Sequence, residues 1–150
     1  MLIYIGTDHR GFNLKESLKK YLADLGYSIE DVGNEKYDES DDYPIFAKQV
    51  AEKVAKNLQN SKGVVICGSG AGADIVANKI QGIRSVLAIS VEQAEATRSD
   101  DDTNVLALAA DYTSEEDAKR ILSSWLKMPF SGEEKHKKRL REIEMIELGN

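Results

Sequence analysis

The sequence contains a single cysteine and only two prolines, and it has no apolar run long enough to cross a membrane. One cysteine cannot form a disulfide within the chain, which excludes a small scaffold held together by disulfides. The first residues, MLIYIGTDHRG, lack a basic segment followed by a long apolar stretch, so we expect neither a secretory signal nor a membrane span. Together these absences favour a protein of the reducing cytoplasm.

Positive charge is also scarce, because 20 lysines and arginines stand against 26 aspartates and glutamates, for a net charge of −6. Nucleic acids and anionic membranes are held by basic surfaces, and we therefore expect neither as a partner. With 41% apolar residues, a chain of 150 residues is long enough to bury its own hydrophobic core. The sequence predicts a single domain over residues 1–150.

Short β-rich runs alternate with longer segments of helical period along the chain. Strands are expected at residues 2–6, 28–32, 63–67, 85–89 and 104–109. Several of these runs are continuously apolar, as in parallel strands that are covered on both faces. The helices between them are expected to end before Gly26, to begin at Pro44, to follow Gly72, to cover about 91–99 and to include Trp125. This alternation predicts a doubly wound α/β fold with right-handed crossovers.

The last segment, residues 133–148, is strongly charged but carries Leu140, Ile143 and Ile146 on one side of a helix. A helix with such a narrow apolar stripe after the final strand suits packing on a partner subunit, as an interface helix. Docking on its own domain is the alternative, and the residues by themselves leave both open. Residues 34–42 (NEKYDESDD) form the one clear polar loop.

Ligands of open parallel sheets bind beyond the carboxyl ends of the strands, near the point where the strand order reverses. We use this rule to select GTDHRGF (residues 6–12) after the first strand, CGSGAG (67–72) after the third, and RSDDDTNV (98–105) ahead of and into the fifth. The first two loops should converge, because the first and third strands are usually close together in such folds.

The CGSGAG loop alternates glycine with small residues ahead of a predicted helix. Its backbone N–H groups can point at one anion, such as a phosphate or an oxyanion. Close packing of strand against helix is the alternative role for such a turn. No Gly-Lys-Ser/Thr follows, which excludes a Walker motif, and Ala73 stands where a dinucleotide-binding fingerprint needs its third glycine.

Cys67 ends the third strand directly before this loop, where nearby amides favour its thiolate as a base or a nucleophile. The alternative is a buried cysteine that acts as a small hydrophobe. Other candidates taken singly also have structural alternatives. Asp8 can cap a helix, Tyr43 can begin one, and the run KHKKRLR (residues 135–141) can be a solvated helix face.

These motifs occur together and in order. GTDHRGFNLKESL, DDYPIFA, ICGSGAGADIVANKIQGIRSVL, DTNVLAL and a final KHxxR resemble the ribose-5-phosphate isomerase B family, which also includes the galactose-6-phosphate isomerase subunits. The resemblance covers nearly the whole chain. It implies a Rossmann-like three-layer sandwich with a five-stranded parallel sheet, and a homodimer or dimer of dimers with sites built across the interface. The implied reaction is aldose-ketose isomerisation of a sugar phosphate through an enediolate, with no metal or other cofactor.

The resemblance also implies a role for each matched residue. Cys67 would be the base that moves a proton between C1 and C2, while Ser69 and the loop amides would stabilise the enediolate oxygen, roughly 3 kcal/mol for each good donor. Asp8 would bind sugar hydroxyls and assist ring opening. Asp100, where many members have a ring-opening histidine, would be the remaining catalytic candidate. The implied substrate-binding residues are His9, Tyr43, Gly68, Gly70, Ala71, Gly72, Asp101, Lys135, His136 and Arg139.

Two departures from the family pattern leave alternatives open. Asp100 could act as an acid or base if it were buried beside Asp101, or it could belong to a solvated acidic turn. Asp111 stands where the family often has an arginine that meets the phosphate, so either this carboxylate points away or the substrate is not the usual phosphorylated pentose. A non-catalytic module that binds a sugar phosphate or a nucleotide, and a divalent cation held by the aspartates 100–102 with Asp8, are further hypotheses.

Overall fold

A computed structural model describes residues 1–149 of the chain. Its strands are β1 (Leu2–Thr7), β2 (Ser28–Gly33), β3 (Ser61–Cys67), β4 (Ser85–Leu87) and β5 (Val105–Ala109). Its α-helices are α1 (Phe12–Asp24), α2 (Tyr43–Ala55), α3 (Ala71–Ala77), α4 (Val91–Asp101), α5 (Glu115–Lys127) and α6 (Glu134–Glu147). The alternation of strands and helices expected from the sequence is confirmed.

The strands form one parallel sheet in the order β2-β1-β3-β5-β4. The order reverses between β1 and β3, which are neighbours as the sequence predicted. Thr7 pairs with Ile66 at their carboxyl ends, and the Thr7 hydroxyl donates a hydrogen bond of 2.9 Å to the Ile66 carbonyl. The next residues are Asp8, which follows β1, and Cys67, which is the last residue of β3 and pairs with Ala109 of β5. Both therefore lie at the crevice where parallel sheets bind ligands.

Helices cover both faces of the sheet and make the predicted three layers. On β3 the residues alternate between the two faces: Val64 and Ile66 pack in one hydrophobic cluster with Trp125 of α5, and Val65 and Cys67 pack in the other. Leu18 and Leu22 of α1 and Ala94 of α4 also belong to the first cluster. Residues from α2 and α3 fill the second, namely Ala47, Val50, Ala51, Val54, Ala73 and Ala77. Every residue of β3 is buried, which explains its continuous apolar run.

Several element ends differ from the sequence prediction by one or two residues, and those of β4 and α4 have a clear physical cause. β4 ends at Leu87, not at residue 89, because the Ile89 amide donates to the side chain of Gln93 (2.8 Å) instead of to a neighbouring strand. α4 runs on to Asp101 and ends at Asp102, whose backbone is left-handed with φ of 47°. None of the helices within residues 1–149 combines the length and apolar character that a membrane crossing requires.

α6 docks partly on its own domain. His136 near its start is buried, and near its end the Glu147 carboxylate accepts from the Gly82 amide at 2.9 Å. The apolar stripe is nevertheless left half open, since Ile143 is 45% and Ile146 is 75% exposed. The own-domain contact is therefore present in the protomer, and packing of the same stripe on a partner subunit stays a prediction.

Candidate active site

A cavity of about 250 Å³ lies at the carboxyl ends of β1 and β3. The loops after β1, β3 and β5 and the first residue of α2 line it. Its lining residues are Asp8, Arg10, Tyr43, Cys67, Gly68, Ser69, Gly72, Asp111 and Tyr112. The structure thus brings the predicted residues Asp8, Tyr43, Cys67 and Ser69 to one place, together with two of the loop glycines.

Cys67 closes β3 and is only 3% exposed, yet it lines this cavity. The buried cysteine among hydrophobic neighbours on the α2–α3 face is confirmed. One side of the residue borders space that a small ligand can occupy, and its role as a base or nucleophile stays a prediction. A thiol in this position is shielded from bulk water and still within reach of a bound molecule.

The glycines of the loop allow close approaches around the cavity. A Cβ added at Gly68 would lie 2.6 Å from Arg10 Nε and 2.8 Å from Asp111 Oδ2, and one at Gly72 would lie 2.5 Å from Tyr43 Cζ. Gly70 has a φ of +76°, a left-handed conformation that only glycine adopts without strain. The glycines of this loop therefore do allow close packing, and this packing occurs where the loop lines the cavity.

Ser69 lies at the tip of the loop and is exposed. Its Oγ accepts a long hydrogen bond of 3.4 Å from the Ala71 amide. Because that oxygen accepts from the backbone, its own proton is free to turn towards an acceptor in the cavity. The serine can therefore serve as a hydrogen-bond donor to a bound oxygen.

Asp8 is a buried carboxylate at the end of β1. It caps the single 3-10 turn of residues 9–11 by accepting from the Arg10 amide at 3.0 Å, so the capping role is confirmed. Burial raises the pKa of Asp8, while the Arg10 amide and the neighbouring His9 oppose this rise. The carboxyl group is thus both fixed in place and easier to protonate than an exposed aspartate.

His9 lies beside the cavity and is not one of its lining residues. The same oxygen of Asp41, Oδ1, is 2.8 Å from the His9 backbone nitrogen and 2.9 Å from ring Nδ1. This hydrogen bond to Asp41 raises the pKa of His9. Sequence reasoning missed Asp41, although the acidic loop at residues 34–42 was visible as a group of potential partners.

Arg10 and Asp111 form an ion pair at the lining of the cavity, with Arg10 Nη2 donating to Asp111 Oδ2. Asp111 does not point away, because it lines the cavity, and its charge is balanced by a guanidinium. The other alternative, that the substrate is not the usual phosphorylated pentose, stays open. Arg10 was not among the predicted site residues, although its place beside Asp8 was a usable signal. Tyr112, which is also in the lining, carried no such signal.

The segment ahead of β5 was wrongly assigned to the carboxyl ends of the strands. Asp100 and Asp101 end α4, and β5 begins only at Val105, which pairs with Gly63 at the opposite end of β3 from Cys67. Four residues of strand separate the two ends, about 13 Å. Asp100 is half-exposed, with Oδ1 3.7 Å from His136 Nε2, so within the protomer it belongs to the solvated last turn of α4.

The predicted site residues of α6 lie near Asp100 and away from the cavity. Lys135 and Arg139 are exposed near the start of α6, and His136 lies against Asp100. Asp102 is paired with Arg84 and Arg98, and Asp8 is at the other end of the sheet, so the proposed cation site on these aspartates is wrong. Within residues 1–149 no cluster of three or more histidine, cysteine, aspartate or glutamate residues is arranged to hold a metal ion.

Comparison with known proteins agrees with this geometry. Residues 3–143 match the family model described as Ribose/Galactose Isomerase. The chain is 39% identical over 145 residues to ribose-5-phosphate isomerase B of Escherichia coli, covering 97% of this chain and 95% of that protein. It is 36% identical over 141 residues to the probable ribose-5-phosphate isomerase B of Mycoplasma genitalium, covering 94% and 92%.

Solved structures give the same result. The crystal structure of ribose-5-phosphate isomerase B from Mycoplasma genitalium with bound ribulose-5-phosphate matches with a TM-score of 0.96 at 34% identity, over 99% of this chain and 97% of that one. The isomerase B of Clostridium thermocellum matches with a TM-score of 0.94 at 39% identity, over 99% of each chain. The resemblance seen in the sequence motifs is thereby confirmed, and the chain belongs to the ribose/galactose isomerase family.

Proposed function

We propose that this protein interconverts the aldose and ketose forms of a sugar phosphate, ribose 5-phosphate and ribulose 5-phosphate or a related pair, with Cys67 as the base. The observation that carries this proposal is the position of Cys67, which ends β3 and lines the cavity together with Asp8 and Ser69. The Mycoplasma genitalium relative, solved with bound ribulose-5-phosphate, supports a sugar phosphate as the class of substrate.

The proton transfer uses the sulfur of Cys67. With the sugar in its open form, the thiolate removes the proton from C2 of the aldose, the electron pair moves onto the carbonyl oxygen, and an enediolate forms. The O2 proton then moves to O1, the thiol returns its proton to C1, and the carbonyl forms at C2 to give the ketose. Because Cys67 is shielded from water, the abstracted proton is retained for the return step.

The developing oxyanion needs donors that are already in place. The Ser69 hydroxyl, in a residue that lines the cavity, and the amides of the same loop around Gly70 are the candidates. Each well-placed donor contributes roughly 3 kcal/mol to stabilisation of the transition state. Gly68, Ala71 and Gly72 keep the loop backbone close enough to serve in this way.

Ring opening requires a group that can exchange a proton with a sugar hydroxyl. Asp8 is the candidate, because burial raises its pKa and brings proton exchange closer to neutral pH. Tyr43, whose ring packs over Gly72, limits the width of the cavity next to it. Both groups act within one chain.

In this proposal, a second copy of the chain supplies the phosphate-binding side chains and Asp100. Asp100, Asp101, Lys135, His136 and Arg139 lie together but away from the cavity of their own protomer. The exposed side chains of Lys135 and Arg139 and the half-open stripe with Ile146 on α6 support a homodimer, or a dimer of dimers, in which these residues complete the partner's cavity. A base that must remain a free thiol suits the reducing cytoplasm.

The direct test is conversion of ribose 5-phosphate to ribulose 5-phosphate by purified protein, followed as ketose formation. Cys67→Ala should lower turnover by roughly 100-fold to 10,000-fold, the contribution of a positioned base, with the melting temperature within a few degrees of wild type. An alanine variant that keeps full turnover would remove Cys67 from the mechanism. Folded wild-type protein that converts no pentose or hexose phosphate would contradict the proposed reaction.

A second function is favoured by one observation. Asp111 places a carboxylate in the lining of the cavity, where a phosphate dianion would meet a neutral ion pair instead of a free cation. A sugar-phosphate or nucleotide binding module without catalysis fits that feature. Thermal stabilisation by ribose 5-phosphate without ketose formation would favour it, whereas turnover would exclude it.

A further inference from the structure

We propose that Asp41 is a positioning residue that fixes the ring of His9, with Nδ1 bound to Asp41, so that Nε2 is the nitrogen presented to the anionic group of the substrate. The part that concerns the substrate rests on the proposed function. The hold of Asp41 on His9 does not, because it follows from contacts within this chain.

Asp41 holds both the backbone and the ring of His9. Its Oδ1 accepts from the His9 amide at 2.8 Å and lies 2.9 Å from Nδ1. An ionised carboxylate only accepts hydrogen bonds, so Nδ1 carries the proton. When the ring is charged, Nε2 also carries a proton and becomes a donor suited to a phosphate oxygen.

Asp41 is itself held in place by the end of β2. Its side chain is 7% exposed, and its second oxygen accepts from Asn34 Nδ2 at 2.9 Å. The Asn34 amide donates to the Thr7 carbonyl at 3.2 Å, which ties the loop to the end of β1. A carboxylate anchored on both oxygens has little freedom to leave the imidazole.

The anchor continues into the core. Lys15 of α1 is fully buried and donates both to the Asn34 carbonyl and to Asp31 of β2, the latter at 2.9 Å. Asp31 in turn accepts from the Gly33 amide at 2.9 Å. Residues 31–34 are therefore fixed by a buried ammonium, and every link in the chain of contacts from Lys15 to His9 is buried or at most partly exposed.

The charged groups that act on His9 are carboxylates. Asp41 contacts the ring, Asp8 precedes it at the end of β1, and Asp38 lies in the same loop as Asp41. Tyr37 of that loop meets the imidazole edge-on, with centroids 6.3 Å apart. These carboxylates favour the imidazolium, which agrees with the raised pKa of His9, while burial opposes it. The polar loop at residues 34–42 thus supplies the partner that favours the charged form of His9.

The experiment uses the fact that the chain has two histidines, His9 and His136. Imidazole NMR titrations of wild type and Asp41→Asn, assigned with His9→Gln, separate the two rings. In Asp41→Asn the midpoint of His9 should fall and its Nδ1 proton should exchange faster, while His136 stays unchanged as an internal reference. Asp41→Glu should restore part of the shift. Asp38→Asn, in the same loop and without contact to the ring, is the matched control and should shift His9 much less.

The binding part is tested with inorganic phosphate and with ribose 5-phosphate. At a pH above the titration midpoint of His9 in the variant, Asp41→Asn should weaken phosphate affinity and raise KM roughly tenfold, because one charge-assisted hydrogen bond is lost. The kcat should stay within about twofold of wild type, because Cys67 is untouched. An unchanged His9 titration would overturn the positioning role. A shifted titration with unchanged phosphate affinity would overturn the substrate role. If wild type failed to isomerise the sugar, that result would count only against the proposed function. The His9 titration and the phosphate affinity would still decide the two parts of this proposal.

Discussion

Lys62 on β3 is a buried cation in cationic surroundings. It is 9% exposed, its Nζ lies 6.0 Å from the centroid of the Trp125 ring, and the guanidinium of Arg98 shares that ring at 5.9 Å. Asp102, the nearby carboxylate, is already bound by Arg98 and Arg84. Burial, followed by repulsion from Arg98, lowers the pKa of Lys62 to about 8.

This shift corresponds to a cost in stability. A fall of the Lys62 pKa from 10.5 to about 8 corresponds to about 3 kcal/mol of unfolding free energy, at about 1.36 kcal/mol for each tenfold change in the proton dissociation constant. The unfolded chain keeps this proton up to the higher value and the folded chain only up to the lower one. Between pH 8 and 10.5 the unfolded state therefore binds more protons, and the free energy of unfolding rises with pH; below pH 8 the full cost is present.

Lys62→Met tests this reasoning, because methionine keeps an unbranched apolar chain against Trp125 and removes the charge. At pH 7 the variant should be more stable than wild type by roughly 1–3 kcal/mol, since the lost cation–π contact, at the long distance of 6.0 Å, is worth about 0.5–2 kcal/mol. Urea denaturation at several pH values should show that this advantage shrinks as the pH rises from 8 to 10.5. The exposed Lys127→Met on α5 is the control and should show no such trend. A Lys62→Met variant that is less stable at pH 7 and has an unchanged pH dependence would refute the argument.

Two further substitutions probe the core and the cavity. Asp31→Asn removes the carboxylate 2.9 Å from the fully buried Lys15 ammonium and leaves only that of Glu16, at 3.7 Å, and should cost roughly 3–5 kcal/mol of unfolding free energy in urea denaturation. Glu30→Gln, at a half-exposed ion pair, should cost less than about 1 kcal/mol, and equal losses would contradict the burial argument. Gly72→Ala places a Cβ 2.5 Å from Tyr43 Cζ and should cost roughly 1–3 kcal/mol in thermal unfolding and lower kcat/KM. Adding Tyr43→Ala should abolish that loss of stability, and a loss that persists would point to the backbone instead.

The layers of the fold follow from patterns that act over short distances. The continuous apolar run of β3 and the stripe of α1 with Leu18 and Leu22 are local signals, and they place these elements correctly because burial on both faces or on one face selects the pattern. The end of β4 was missed because a side chain, Gln93, captures the Ile89 amide, and no propensity encodes such a capture.

The cavity was predictable where a strand ends in it. Asp8 follows β1 and Cys67 ends β3, so strand order alone brings them together. The ion pair of Arg10 with Asp111 joins residues 101 positions apart, and its geometry depends on two loops whose paths the sequence does not state. The acidic turn at Asp100 was misplaced because the rule for ligand sites applies to the loop that follows a strand, not to the one that precedes it.

The acidic turn with His136 and the cavity with Cys67 lie at opposite ends of one rigid sheet, and no motion inside the protomer can bring them together. If a second chain completes the cavity as proposed, the quantity of working enzyme equals the quantity of associated chains. Specific activity would then fall on dilution below the dissociation constant of the assembly and recover on concentration, while the circular dichroism of the folded chains stays the same.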